Sequence, residues 1–126
     1  MKTISQVAEK DFEGILEVFK DLFKKTHPQG TNGRLYETMV NEEYKEWLAE
    51  EPKTPNDFKE LCDTIWCCIM YAIEQGYPLD KGMGELIREY MSKFTNEKGE
   101  YDPQYRDDGK LLKGKGFKKA DFSKFV

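Results

Sequence analysis

The segment Thr54–Gly76, with the sequence TPNDFKELCDTIWCCIMYAIEQG, decides the fold class of this chain. Its first residues have an order typical of a helix N-terminus, because Thr54 can cap the helix and Asp57 stands at the third helical position. Its last residue, Gly76, can adopt the left-handed conformation that often ends a helix. One helix between these two caps is therefore predicted.

A run of nine consecutive apolar residues, Ile65–Ile73, lies inside this predicted helix. Such a run covers every side of a helix rather than one face, so the helix should be buried on several sides. In a chain of 126 residues we expect partner subunits to supply part of that cover, in a homodimer or a homotetramer. The run is also much shorter than the roughly 20 residues needed to cross a bilayer, so no membrane span is predicted.

Helical periodicity continues on both sides of this segment. Three further helices are predicted from apolar residues that recur every three or four positions: Ser5–Thr26, about Leu35–Glu50 and about Asp80–Phe94. No strand alternation is evident, and the periodicity stops after the last of these helices. The sequence thus predicts an all-α fold, a four-helix bundle in one domain of residues 1–126, with a helical body at about 5–94 and an irregular tail at 95–126.

Composition and charge restrict the possible functions. The chain is 38% hydrophobic and 35% charged, which is typical of a soluble globular protein. The N-terminus has no apolar signal segment, so a cytoplasmic location is expected, and the three cysteines are expected to be buried reduced thiols. The net charge of −4 disfavours binding to nucleic acid or to an anionic membrane. This charge is unevenly distributed, with −6 for residues 1–94 and +2 for residues 95–126. An acidic body with a mildly basic tail is as expected for a protein whose site binds both a cation and an anion.

Four acidic residues are candidates for the chemistry because they lie on apolar helix faces. In the second predicted helix, Glu43 projects into the middle of the apolar arc and Glu46 lies beside Met39 and Leu35, whereas Glu42 is nearer to solvent. In the third, Glu60 and Asp63 share one face with apolar side chains. Carboxylates directed inward are costly, and a cluster of them either takes up protons or binds a cation. Oxygen ligands alone select hard metals such as magnesium.

The residues by themselves leave two interpretations of these acids open. They form a metal site, or they mark a solvated rim in which Glu60 merely complements the helix dipole. The dipole explanation does not extend to Asp63, which lies beyond the first turn. A ferritin-like di-iron centre is disfavoured because the only histidine, His27, lies in a predicted loop and no Glu-x-x-His motif is present.

Several short motifs of this sequence resemble the motifs of one enzyme family. EEYKE at residues 42–46 and ELCD at residues 60–63 resemble the paired ExxE and ExxD signature of the MazG-like all-α nucleoside triphosphate pyrophosphohydrolases. YMSKF at 90–94 and DGKLLKG at 108–114 resemble the C-terminal elements of the phosphoribosyl-ATP pyrophosphohydrolase-like branch, which includes phage and bacterial proteins. The resemblance covers about residues 10–122. It departs from the pattern at Tyr90, where this branch usually has asparagine.

The resemblance implies hydrolysis of a nucleoside triphosphate to the monophosphate and pyrophosphate, with water attacking the α-phosphorus. It implies Mg²⁺ as cofactor, with Mn²⁺ as a possible substitute. The implied metal ligands and catalytic residues are Glu43, Glu46, Glu60 and Asp63, and the implied phosphate-binding residues are Lys93, Lys110 and Lys113. The alternatives are a non-catalytic nucleotide-binding or regulatory helical module and a nucleic-acid binder that uses the lysine-rich tail, which the net charge and the acidic residues of the tail disfavour.

Overall fold

The computed structural model describes all 126 residues and contains four helices and no strand longer than an isolated bridge. The helices are α1 (Ile4–Thr26), α2 (Leu35–Leu48), α3 (Pro55–Gln75) and α4 (Leu79–Lys93). The prediction of an all-α fold is confirmed, and each helix ends within two residues of its expected bounds. How the four helices assemble into a bundle stays a prediction.

Both ends of α3 have the caps that its sequence indicates. The hydroxyl oxygen of Thr54 accepts a hydrogen bond from the backbone N–H of Asp57 at 3.1 Å. At the other end Gly76 has a φ of 76° and donates its N–H to the carbonyl oxygen of Ile73 at 3.0 Å. A left-handed φ is strained for most residues with a side chain, so this position favours glycine.

The chain divides into two compact units. The first, called the α2–α3 unit here, comprises Gly14–Leu79, and the second, called the α4 unit, comprises Met1–Glu13 together with Asp80–Val126. Within the α2–α3 unit, the two helices pack along each other around a core formed by Tyr36, Cys67 and Met70. No helix of the structure has both the length and the apolar character that a membrane crossing requires.

A carboxylate from α3 fixes the start of α2. Glu74 accepts hydrogen bonds at one oxygen from the hydroxyl of Thr31, at 2.6 Å, and from the backbone N–H of Leu35, at 3.2 Å. Its other oxygen accepts the N–H of Tyr36 at 3.2 Å. Free N–H groups at a helix N-terminus favour a negative partner. This contact sets the position of α2 against α3, and thereby the position of the acids that both helices carry.

The cysteines differ from the expectation of three buried thiols. All three are reduced, but only Cys67 is buried, whereas Cys62 and Cys68 are exposed. The reason is that α3 keeps part of its apolar surface open to solvent in the single chain. Burial raises the pKa of the Cys67 thiol to about 11, so this sulfur is protonated at neutral pH.

The tail within the α4 unit is ordered and contains two similar turns. In the first, the N–H of Asn96 donates to the carbonyl of Glu100 at 3.0 Å, and in the second, the N–H of Arg106 donates to that of Lys110 at 2.7 Å. Each turn has a glycine with positive φ at the fourth position, Gly99 at 78° and Gly109 at 90°. The sequences NEKGE and RDDGK are therefore two copies of one turn, a repeat that the sequence analysis did not detect.

Candidate metal centre

Three of the four predicted acids come together in the α2–α3 unit. Glu43 from α2 and Glu60 and Asp63 from α3 each offer one carboxylate oxygen, and these three oxygens lie within 4.8 Å of one another. Glu60 and Asp63 are three residues apart, so they occupy the same face of α3. All three residues are half-buried. We refer to Glu43, Glu60 and Asp63 as the acid cluster.

Two oxygens of the acid cluster have no partner in the protein. Glu43 Oε2 and Glu60 Oε2 are both buried and neither accepts a hydrogen bond. The Glu60 side chain is only 16% exposed. A buried carboxylate oxygen without a partner is destabilising by about 1 to 3 kcal/mol. The acid cluster therefore favours a proton or a cation from outside the chain.

The electrostatics of Glu43 agree with this geometry. Burial is the main cause that raises the pKa of its carboxyl group, and the negative charges of Glu46 and Asp63 raise it further. Glu46 lies within hydrogen-bonding reach of Glu43 but is exposed to solvent and stands outside the acid cluster. The fourth predicted acid is thus a neighbour of the cluster at its solvent side.

A lysine that the sequence analysis missed contacts the acid cluster. Lys59 Nζ lies 2.6 Å from Asp63 Oδ2 and 3.7 Å from Glu60 Oε1. The hydrogen bond to Asp63, together with the charges of Asp63 and Glu60, raises the pKa of Lys59. The four-residue spacing between Lys59 and Asp63 was the signal that could have identified this ion pair.

The three predicted phosphate-binding lysines all lie in the α4 unit. Lys93 Nζ lies 4.1 Å from the centre of the Tyr90 ring, so these two residues make a cation–π contact. Lys113 Nζ lies 5.0 Å from the centre of the Phe117 ring. Lys110 is exposed, and the neighbouring Asp108 pairs with Arg106 instead, at 2.5 Å.

Gly114, the last residue of the DGKLLKG motif, has a structural role. A Cβ atom on Gly114 would lie 2.2 Å from the carbonyl oxygen of Thr95, a distance that no side chain tolerates. The N–H of Gly114 donates to the carbonyl of Lys93 at 3.1 Å, which holds the tail against the end of α4. The close backbone approach at Gly114 is therefore made by the chain itself.

The donor set of the acid cluster fits a hard divalent cation. It consists only of carboxylate oxygens, it is half-buried, and two of its oxygens are unpartnered. Mg²⁺ and Mn²⁺ prefer such ligands, whereas thiolate and imidazole sites suit softer metals. Comparison of the chain with family models, with curated proteins and with solved structures finds no match in any of the three, and membership of the MazG-like family stays a prediction.

Proposed function

We propose that this chain is a magnesium-dependent pyrophosphohydrolase of the MazG-like type, which cleaves a ribo- or deoxyribonucleoside triphosphate to the monophosphate and pyrophosphate. The observation that carries the proposal is the acid cluster with its two buried, unpartnered oxygens. An acid group that serves only packing is expected to have its oxygens satisfied by the chain.

Each predicted residue has a role in this proposal. Glu43, Glu60 and Asp63 hold the metal, which when bound neutralises phosphate charge and lowers the pKa of the attacking water. Glu46, exposed beside Glu43, is the acid best placed to orient water and to accept its proton. The assignment of phosphate binding to lysines of the α4 unit rests on the family resemblance: Lys93, Lys110 and Lys113.

We further propose that the protein is a homodimer or a homotetramer. The hydrophobic residues that are buried in one chain number only five: Leu16, Tyr36, Cys67, Met70 and Ala72. On α3, by contrast, Phe58 is 68% exposed and Ile65 is 49% exposed. Large apolar side chains that line one helix face are the usual material of subunit interfaces. A second copy on this face of α3 would cover these side chains.

One observation favours a second candidate function. Lys59 already places a positive charge beside Asp63, and an acid cluster with a resident counter-ion is compatible with a non-catalytic nucleotide-binding or regulatory module. The two candidates differ in whether pyrophosphate is released.

The test is pyrophosphate release from each common ribo- and deoxyribonucleoside triphosphate, with Mg²⁺, with Mn²⁺ and with EDTA. We expect metal-dependent release from at least one nucleotide, together with the matching monophosphate. Binding of nucleotides without release of pyrophosphate under any metal condition would favour the regulatory module. The panel also identifies the preferred base, which the aromatic residues of the chain do not specify.

A further inference from the structure

The Lys59 ammonium group forms ion pairs with the acid cluster. It contacts Asp63 at 2.6 Å and approaches Glu60 at 3.7 Å, so it reaches two of the three acids of the cluster. A metal ion held by the same carboxylates needs the same oxygens and the same region of negative potential. The ammonium group and the metal are therefore competitors.

The exposure of the partners indicates which of them moves. The Lys59 side chain is 67% exposed, so it can rotate into solvent without opening the core. The Glu60 side chain, by contrast, is only 16% exposed. A lysine is a compact charge on a flexible stem, and its exposed ion pairs contribute only about 0 to 1 kcal/mol, so a divalent ion can displace it.

Lys59 does not contact every carboxylate oxygen of the acid cluster. Its two acid contacts are with Asp63 Oδ2 and Glu60 Oε1, whereas Glu60 Oε2 and Glu43 Oε2 stay without a partner. A single monovalent charge at the edge of the cluster thus offsets the repulsion among its acids only in part.

We propose that Lys59 is a tethered counter-cation of the metal-free site, which competes with the divalent metal for Asp63 and is displaced when the metal binds. The inference rests on the proposed metal-binding function of the same acids. Its consequence is that Lys59 weakens the affinity for metal while it stabilises the metal-free protein. Removal of the lysine should therefore tighten metal binding, whereas removal of a supporting residue would weaken it.

The experiment measures Mg²⁺ and Mn²⁺ binding to the full chain without nucleotide, by calorimetric titration and by the metal-induced rise of Tm. The variants are Lys59→Met, which keeps the apolar stem, Lys59→Gln as a second neutral replacement, and Lys59→Arg, which keeps the charge. Lys20→Met is the matched control, because Lys20 is an exposed lysine of α1 in the same unit that forms no ion pair in the structure.

We expect the two neutral variants to bind metal about threefold to tenfold more tightly than the wild type, as follows from removing one like charge close to a divalent ion in a solvated site. Their Tm in EDTA should be lower than that of the wild type. Lys59→Arg should bind metal no more tightly than the wild type, and Lys20→Met should leave the affinity unchanged.

Two kinds of failure are distinguishable. If the wild type binds metal and the neutral variants bind it equally or more weakly, the counter-cation role is wrong while the metal site stands. An equal gain in Lys20→Met would also overturn the role, because the effect would then reflect net charge. If the wild type binds neither metal, the proposed metal site is wrong, and the inference about Lys59 is overturned with it.

Discussion

Two carboxylate sites of this molecule have opposite electrostatics. In the α4 unit, the Glu85 side chain is only 6% exposed and forms ion pairs with Arg88 and with Lys124, the latter at 2.7 Å. Hydrogen bonds from Lys124 and Arg88 lower the pKa of Glu85 from an ordinary value of 4.5 to about 2. In the acid cluster, burial and like charges raise the pKa of Glu43.

The two sites differ in whether the chain itself supplies hydrogen-bond and ion-pair partners for the carboxylates. Around Glu85 the chain supplies them all, and the neighbouring Glu89 accepts the backbone N–H of Ala120 at 2.7 Å, so this face of α4 anchors the C-terminal segment. At the acid cluster, two buried oxygens are left without any partner. The acid with partners stabilises the fold, whereas the acids without partners are those for which we propose a metal ligand.

The largest expected effect comes from neutralising the acid cluster. Asp63→Asn and Glu60→Gln should each lower pyrophosphate release by about two orders of magnitude or more, because each removes a charge from the proposed metal site without a change of shape. The Tm of Glu60→Gln in EDTA should not fall, since one repelling charge is gone. Turnover assays and thermal melts of the same samples measure both effects.

Glu42→Gln is the matched control for these variants. Glu42 precedes Glu43 on α2 but is exposed and stands outside the acid cluster. It should retain normal turnover. Near-normal turnover in Asp63→Asn or Glu60→Gln would instead show that the substituted acid has no role in catalysis. The acid cluster and Glu85 would then not differ in function.

The next effect concerns subunit association, which sharpens the comparison because the exposed residues Phe58 and Ile65 lie on the face of α3 opposite to Glu60 and Asp63. Sedimentation at micromolar concentration should show little of the 14.8 kDa monomer. Phe58→Glu should weaken self-association by about 30-fold or more, since it buries a charge in an apolar interface. Tyr105→Glu, at an exposed aromatic residue of the tail, should have no such effect. A purely monomeric wild type would contradict the packing argument.

A smaller effect is expected for the proposed phosphate-binding lysines. Lys110→Ala should lower kcat/KM for triphosphates by about tenfold, the value of one charge-assisted hydrogen bond. Lys98→Ala is the control, because Lys98 is an exposed lysine of the first tail turn without an ion pair. A point variant is preferable to truncation after Phe94, which would also remove Lys124, a partner of Glu85. If the two variants retain equal activity, Lys110 is a surface residue.

The smallest effect is a change in the pH dependence of stability. The pKa of Glu85 is lower in the folded state than in the unfolded chain. Its contribution to the free energy of unfolding is therefore fully present above about pH 4.5 and is lost as the pH falls toward 2. Glu85→Gln should lower Tm at pH 7 and reduce the loss of Tm across that acidic range. Melts between pH 7 and pH 2 test this. An unchanged acid profile would show that Glu85 is not the anchor, and normal turnover of the variant would confirm that this carboxylate has no part in the chemistry.

Local sequence signals were sufficient for the helices and insufficient for their side-chain partners. Thr54 and Gly76 act on neighbouring residues, so the bounds of α3 could be predicted from those residues alone. The inward positions of Glu43, Glu60 and Asp63 followed from helical periodicity as well, whereas the same argument predicted an inward position for Glu46, which is exposed. Lys59 was missed because an ion pair between residues i and i+4 is common on any helix surface and becomes informative only beside a half-buried acid.

The sequence by itself determined the all-α class, the bounds of the four helices and the helix faces that carry acids, because these depend on interactions within one or two helical turns. Only the tertiary structure decided that Glu43 of α2 meets Glu60 and Asp63 of α3, and that Glu85 is satisfied by Lys124 from the far end of the chain. The physical reason is that hydrogen bonding and desolvation depend on which groups are close in space. The pKa and the partners of a carboxylate are therefore set by residues that can be far away in the sequence.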